Sequence, residues 1–117
     1  MNTLAATKRK IEQDPKHWSL YVMEFVDDFR RSGDLRMLEE PFQSSNERFD
    51  ALLASTAETL CDEKQLPSPK WLSDIPATRH PWFVAGVESL KAIALAESPL
   101  RFRLRKVFVL ENFLARA

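Results

Sequence analysis

The sequence predicts a mainly α-helical fold, a compact bundle of about four to five helices joined in part by an irregular Pro/Trp linker, and three observations carry that expectation. The chain has two glycines, and its seven prolines mostly fall between apolar-periodic segments. Apolar residues recur at helical steps through most of the chain. Helix-starting and helix-stopping residues flank those steps. Its 117 residues, 44% hydrophobic and 29% charged, suit one globular domain over positions 1–117, with a core that needs neither disulfide nor metal.

Taken in order, the first dozen residues, with Leu4 and Ile11, form a weaker helix candidate. Asp14-Pro15 then supplies an N-cap and a proline at the first helical position, and Gly33 can take the left-handed C-terminal conformation, so a helix is expected up to Ser32. Trp18, Tyr21, Val22, Phe25, Val26 and Phe29 share one face of it, which should be buried. Ser44 and Glu47 have capping-box spacing and predict a second helix whose stripe is Phe49, Leu52, Leu53, Ala57, Leu60 and Cys61. Leu66-Pro67-Ser68-Pro69 stops it, because each proline disfavours helical geometry in the residue before it. Lys70 to Trp82 reads as an irregular linker too apolar to be a tether.

A third helix is expected from about Gly86 to Glu97, with Val87, Leu90, Ile93 and Ala94 inward. Ser98-Pro99 ends it and reads as a fresh cap for a short helix over Leu100 to Arg105. The competing reading is extended chain: Arg101 to Arg105 alternates with period two, and Val107 to Leu110 is apolar and partly β-branched. Such a strand finds no evident partner elsewhere in the chain.

Seventeen basic and seventeen acidic side chains cancel, which argues against a general polyanion binder. Their distribution is uneven: residues 1–10 carry a net +3, residues 11–78 a net −7 and residues 79–117 a net +4. Opposite poles can pair within the fold or bind a partner. The single cysteine, Cys61, points to no oxidising compartment, and the cytoplasm is the default. No signal-peptide core and no long apolar run is seen, so no membrane association is expected.

Chemistry is sparse. His17 and His80 do not share metal-ligand spacing with Cys61, so no metal site is expected. Cys61, on an apolar stripe, reads as a small buried hydrophobe rather than a nucleophile. Neighbouring carboxylates such as Asp27-Asp28, Glu39-Glu40 and Asp62-Glu63 diverge on a helix and read as a solvated face. Two isolated glycines form no phosphate-cradling loop. The expectation is a non-enzymatic protein without cofactor. The best candidate surface is the basic segment Arg101, Phe102, Arg103, Arg105 and Lys106; Trp71, Trp82 and Phe83 read first as core plugs under a loop, with docking anchors as the second reading. Docked hydrophobes with self-paired arginines, a protein-binding face and a nucleic-acid face are the three readings of that strip.

The order AETLCDEKQLPSPKW, HPWF and SLKAIALAESPLRFRLRKVFVLENFLARA resembles a group of small bacterial proteins of antitoxin or regulator type, some with a helix-turn-helix ahead of the shared tail. The similarity covers about Ala57 to Ala117. Matching positions are Pro69, Trp71, Pro81, Trp82, Phe83, Glu97, Ser98, Pro99, Phe102, Arg103, Arg105 and Phe108. The resemblance implies a protein partner, such as a nucleotidyltransferase-like toxin, in a toxin-antitoxin or regulatory pair. Apart from the resemblance, the sequence leaves the oligomeric state open, with a dimer as one candidate. A convincing helix-turn-helix before Ala57 is lacking, since the helix from Asp14 to Ser32 looks built for packing. A nucleic-acid-binding regulator using the basic strip is the alternative.

Overall fold

The computed structural model describes residues 1–115 and contains six α-helices and one pair of short strands among them. In chain order these are α1 (Leu4–Gln13), α2 (Trp18–Ser32), α3 (Glu47–Lys64), α4 (Lys70–Ser73), β1 (Trp82–Phe83), α5 (Lys91–Glu97), α6 (Leu100–Leu104) and β2 (Val107–Phe108). The mainly α expectation holds. The added helix is α4, a single turn within the segment read as an irregular linker.

Thr3 starts α1 by accepting from Ala6 N at 3.0 Å, and Leu4 and Ile11 are both buried. A 3-10 turn over Pro15–His17 feeds α2, and Gly33 ends it at φ +60°, donating from its N to Phe29 O at 2.7 Å. Val22, Phe25, Val26 and Phe29 are buried as the spacing predicts, with Trp18 and Tyr21 half-buried at the start of the stripe.

The cap of α3 differs from expectation. Asn46, not Ser44, accepts from Arg48 N at 3.0 Å and Phe49 N at 3.1 Å. Its short amide reaches the free donors of the first turn from the position directly before the helix, while Ser44 lies exposed two residues upstream. The middle of α3 is enclosed on all sides, since α1, α2, α4, α6 and β2 all pack on it. Small residues make this feasible: Ala51, Ala54, Ser55, Thr56 and Ala57 are fully buried. Thr56 satisfies its hydroxyl on Leu52 O at 2.8 Å, and Ser55 donates to Arg101 O at 3.2 Å.

The C-terminal third corrects three expectations. The extended segment does have a partner, β1, in parallel register with Trp82 opposite Val107 and Phe83 opposite Phe108. Thr78 N to Arg105 O (3.0 Å), Trp82 N to Lys106 O (2.9 Å) and Val84 N to Phe108 O (3.1 Å) line up the two segments. Second, Gly86 begins no helix. At φ +69° it closes a turn after β1, its N donating to Phe83 O at 3.0 Å, and a 3-10 turn at Glu88–Leu90 precedes α5. Of the four residues expected inward only Ala94 is buried, whereas Val87 is 48% and Ile93 45% exposed. Third, Ser98 ends α5 as its C-cap, as expected, but does not cap α6, whose N-cap position is Pro99. The buried Ser98 hydroxyl donates to Ala94 O at 2.6 Å and accepts from Val109 N at 2.8 Å, pinning α5 to the residue after β2.

A continuous core runs from Leu4 to Leu114, including Leu52, Leu53, Leu60, Leu72, Phe102 and Val107. Two fully or nearly buried cations interrupt it. Lys8, 1% exposed, pairs with Asp50 and also donates to Gln43 O at 2.8 Å beneath the Phe42 ring, 4.6 Å from its centroid. Asp50 takes its second bond from Ser45 N at 3.1 Å, so the pair ties α1 and the loop before α3 to the start of α3. Removing one member of a buried pair strands the other charge. Lys8→Met should therefore cost about 3–5 kcal/mol in urea unfolding, while Lys8→Met with Asp50→Leu should recover most of that loss.

Candidate docking surface

Helix α6 sorts the basic segment into two groups. Successive residues turn by about 100°, so Phe102 facing the core leaves Leu100 and Leu104 on the opposite side. Phe102 is fully buried, edge-on to Phe113 at 6.0 Å, and Leu100 and Leu104 are 59% and 65% exposed. Arg101 and Arg105, four apart, turn toward α3, where Glu58 and Asp62 have the same spacing.

Arg105 is 7% exposed and belongs to the interior. Its guanidinium pairs with Glu58, itself 3% exposed, and donates to Ile75 O at 3.0 Å and Leu72 O at 2.7 Å. Arg101 lies over the helix edge and grips Asp62 with two bonds of 2.9 and 3.2 Å. Hydrogen bonding to Asp62 raises the Arg101 pKa above its ordinary value, with burial opposing it. Arg105 and Phe102, both expected on a partner surface, are thus structural. Desolvating a guanidinium is tolerable only because Glu58 and two carbonyls surround it.

Arg103 and Lys106 stay exposed, and their side chains make no ion pair or hydrogen bond among the described residues. Lys106 holds φ +61°, directly after the C-cap of α6, a position where glycine is the usual residue. A lysine there accepts a backbone cost of roughly 1 kcal/mol. Leu100, Arg103, Leu104 and Lys106 together form an apolar ridge flanked by unpaired positive charge. Beside Leu104 lies a hollow of about 350 Å³ bordered by Ile75, Pro76 and Ala77.

The aromatic anchors are loop plugs. Trp71 donates from Nε1 to Leu38 O at 2.8 Å and stands edge-on to Phe42 at 5.3 Å. Trp82 packs among Trp18 at 6.0 Å and Phe49 at 5.9 Å, with the Arg48 guanidinium 5.6 Å above its ring. Phe83 stacks on Phe108 at 5.1 Å under the Lys91 ammonium. All three are half-buried, and none joins the α6 ridge.

Sequence reasoning missed Leu100 and Leu104 as surface residues. The signal was available: once the segment is helical and Phe102 is inward, both leucines must point out.

Among the described residues, no group of three or more His, Cys, Asp or Glu could hold a metal ion, and no helix is long and apolar enough to cross a membrane. Cys61 is fully buried and its thiol is pushed up to about 11, first by burial and then by the charges of Asp62 and Glu58. It is a protonated core residue at neutral pH, the reverse of an activated nucleophile.

No family model matches the chain, and no curated protein or solved structure matches it.

The two α6 arginines should separate cleanly in thermal or urea unfolding. Arg105→Met is expected to cost about 3–5 kcal/mol, because Glu58 would remain buried with only the more distant Arg101 guanidinium, 4.0 Å away, to balance it. Arg101→Met, at a half-exposed pair, should cost no more than about 1 kcal/mol.

Proposed function

We propose that this protein is a non-enzymatic protein-binding module that docks a partner through the outer face of α6. The observation that carries this reading is the pairing of two solvent-facing leucines, Leu100 and Leu104, with two uncompensated cations, Arg103 and Lys106. An exposed apolar ridge with free charge on its flanks fits an acidic protein surface with apolar sockets, where the leucines supply burial and the cations orient the encounter. The resemblance of the C-terminal half to antitoxin-type proteins supports the same reading. In that setting the partner is a nucleotidyltransferase-like toxin, and the module acts as its neutraliser in the cytoplasm.

A nucleic-acid surface is less well supported. Two of the four cations in the strip are consumed by Glu58 and Asp62, so only Arg103 and Lys106 remain for phosphates, a small counterion-release contribution.

A tagged full chain recovered from its own host, with and without nuclease, tests the proposal. A stoichiometric protein that survives nuclease is expected with the parent chain and should be lost with Leu100→Lys/Leu104→Lys. Recovery of nucleic acid, or equal capture by the leucine variant, would overturn it. Lys106→Gly provides a second handle. It should leave the fold as stable or raise its stability by about 0.5–1 kcal/mol, since glycine adopts positive φ freely, yet weaken partner capture.

A further inference from the structure

A groove of about 600 Å³ opens between α5 and the C-terminal turn Glu111–Leu114, with Leu90, Ile93 and Leu110 along its walls and Glu97, Glu111 and Asn112 at its rim. The volume falls in the range of clefts that accept organic groups. Ile93 is 45% exposed in it, an apolar side chain without cover. Glu97 accepts from Glu111 N at 2.9 Å, which holds the Glu97 carboxylate against the Glu111 backbone at the edge of the groove. Neither the Glu97 nor the Glu111 carboxylate forms an ion pair among the described residues.

The groove is therefore the chemical complement of the α6 ridge: apolar sockets with two carboxylates that form no ion pair among the described residues, against apolar knobs with two cations in the same state. We propose that the two surfaces bind each other between copies of this chain, the α6 ridge of one copy seated in the α5 groove of the next. This rests on the reading of α6 as a docking face and names its occupant in the isolated protein. Leu100 and Leu104 enter against Leu90, Ile93 and Leu110, and Arg103 and Lys106 meet Glu97 and Glu111.

Charge excludes the simpler symmetric arrangement. An α6-to-α6 contact would set Arg103 and Lys106 against their own copies, and a groove-to-groove contact would oppose four carboxylates. Ridge and groove are different surfaces, so the contact is either reciprocal within a two-fold pair or head-to-tail, closing into a ring or running on as an open chain. Because both carboxylates and both cations are exposed, the attraction is screened by salt. A protein partner that takes the α6 ridge would compete with this contact and shift the protein toward single copies.

Sedimentation velocity on the purified full chain tests the proposal, with circular dichroism on every variant to establish that it folds. The parent chain should show concentration-dependent mass above one protomer, declining as NaCl rises from about 50 mM to about 500 mM. Glu97→Lys/Glu111→Lys and Arg103→Glu/Lys106→Glu should each be monomeric alone, since each sets like charge against like. Mixed in equal amounts, they should associate again, because each ridge then finds a groove of opposite sign. A chain carrying all four substitutions should associate with itself as well, because its negative ridge meets a positive groove while ridge-to-ridge and groove-to-groove contacts stay repulsive, and only a ridge-to-groove contact predicts that outcome. A parent chain that stays monomeric at every concentration, or a mixture that fails to associate, overturns the proposal. A monomeric parent that still captures a protein from its host would sink self-assembly and leave the docking function standing.

Discussion

The Arg105 to Glu58 contact is the constraint on which the C-terminal third depends. One guanidinium reaches α3 through Glu58, takes up the carbonyls of Leu72 in α4 and Ile75 just after it, and sits on a residue whose own carbonyl accepts from Thr78. The next ladder bonds, Trp82 to Lys106 and Val84 to Phe108, follow from that alignment. Two strands of two residues have no stability of their own. They persist because the ends that lead into them are fixed to a helix already buried on every side. Lys8 and Asp50 do the corresponding work at the other end of α3, so the same helix carries an anchored charge at its start and at its middle.

This arrangement explains why so polar a pattern can be internal. Buried charges contribute little net stability when paired, but they are costly when stranded, so each pair penalises any packing that leaves its partner elsewhere. Arg105 has acceptors in two separate segments, and a helix shifted by one residue would lose them together. Specific docking of the irregular stretch between α4 and β1 follows from that geometry, since Ile75 is the one hydrophobic residue of the stretch packed against the core.

Much of the fold was legible from the residues. The stripe from Val22 to Phe29, the stop at Gly33 and the α3 stripe ending in Cys61 follow from periodicity and capping alone. What could not be read is where pairing is long-range. The parallel partner of Val107 and Phe108 lies more than twenty residues earlier, in a Pro-Trp-Phe segment with no strand periodicity of its own. At α5 the difficulty was different: Ala92, Ile93, Ala94, Leu95 and Ala96 are apolar all round, so the sequence has no polar side to indicate which face turns outward. In the basic strip, alternation suggested three equivalent arginines. Helical geometry instead sends Arg101 and Arg105 to α3 and leaves Arg103 outside, a division that depends on the carboxylates of a helix some forty residues away.

A chain with no net charge can still present strongly polarised faces, and here the division of labour among the arginines produces them. By spending Arg101 and Arg105 on α3, the fold removes them from the surface and leaves Arg103 and Lys106 as a narrow positive flank to two leucines. Cations spread as broadly as the sequence suggested would favour any polyanion. Two cations beside an apolar ridge favour only a surface that offers anions and sockets at matching positions, because the burial contribution is lost wherever the sockets are absent. The left-handed lysine at position 106 fits the same logic, since a side chain is retained where the backbone alone would choose glycine.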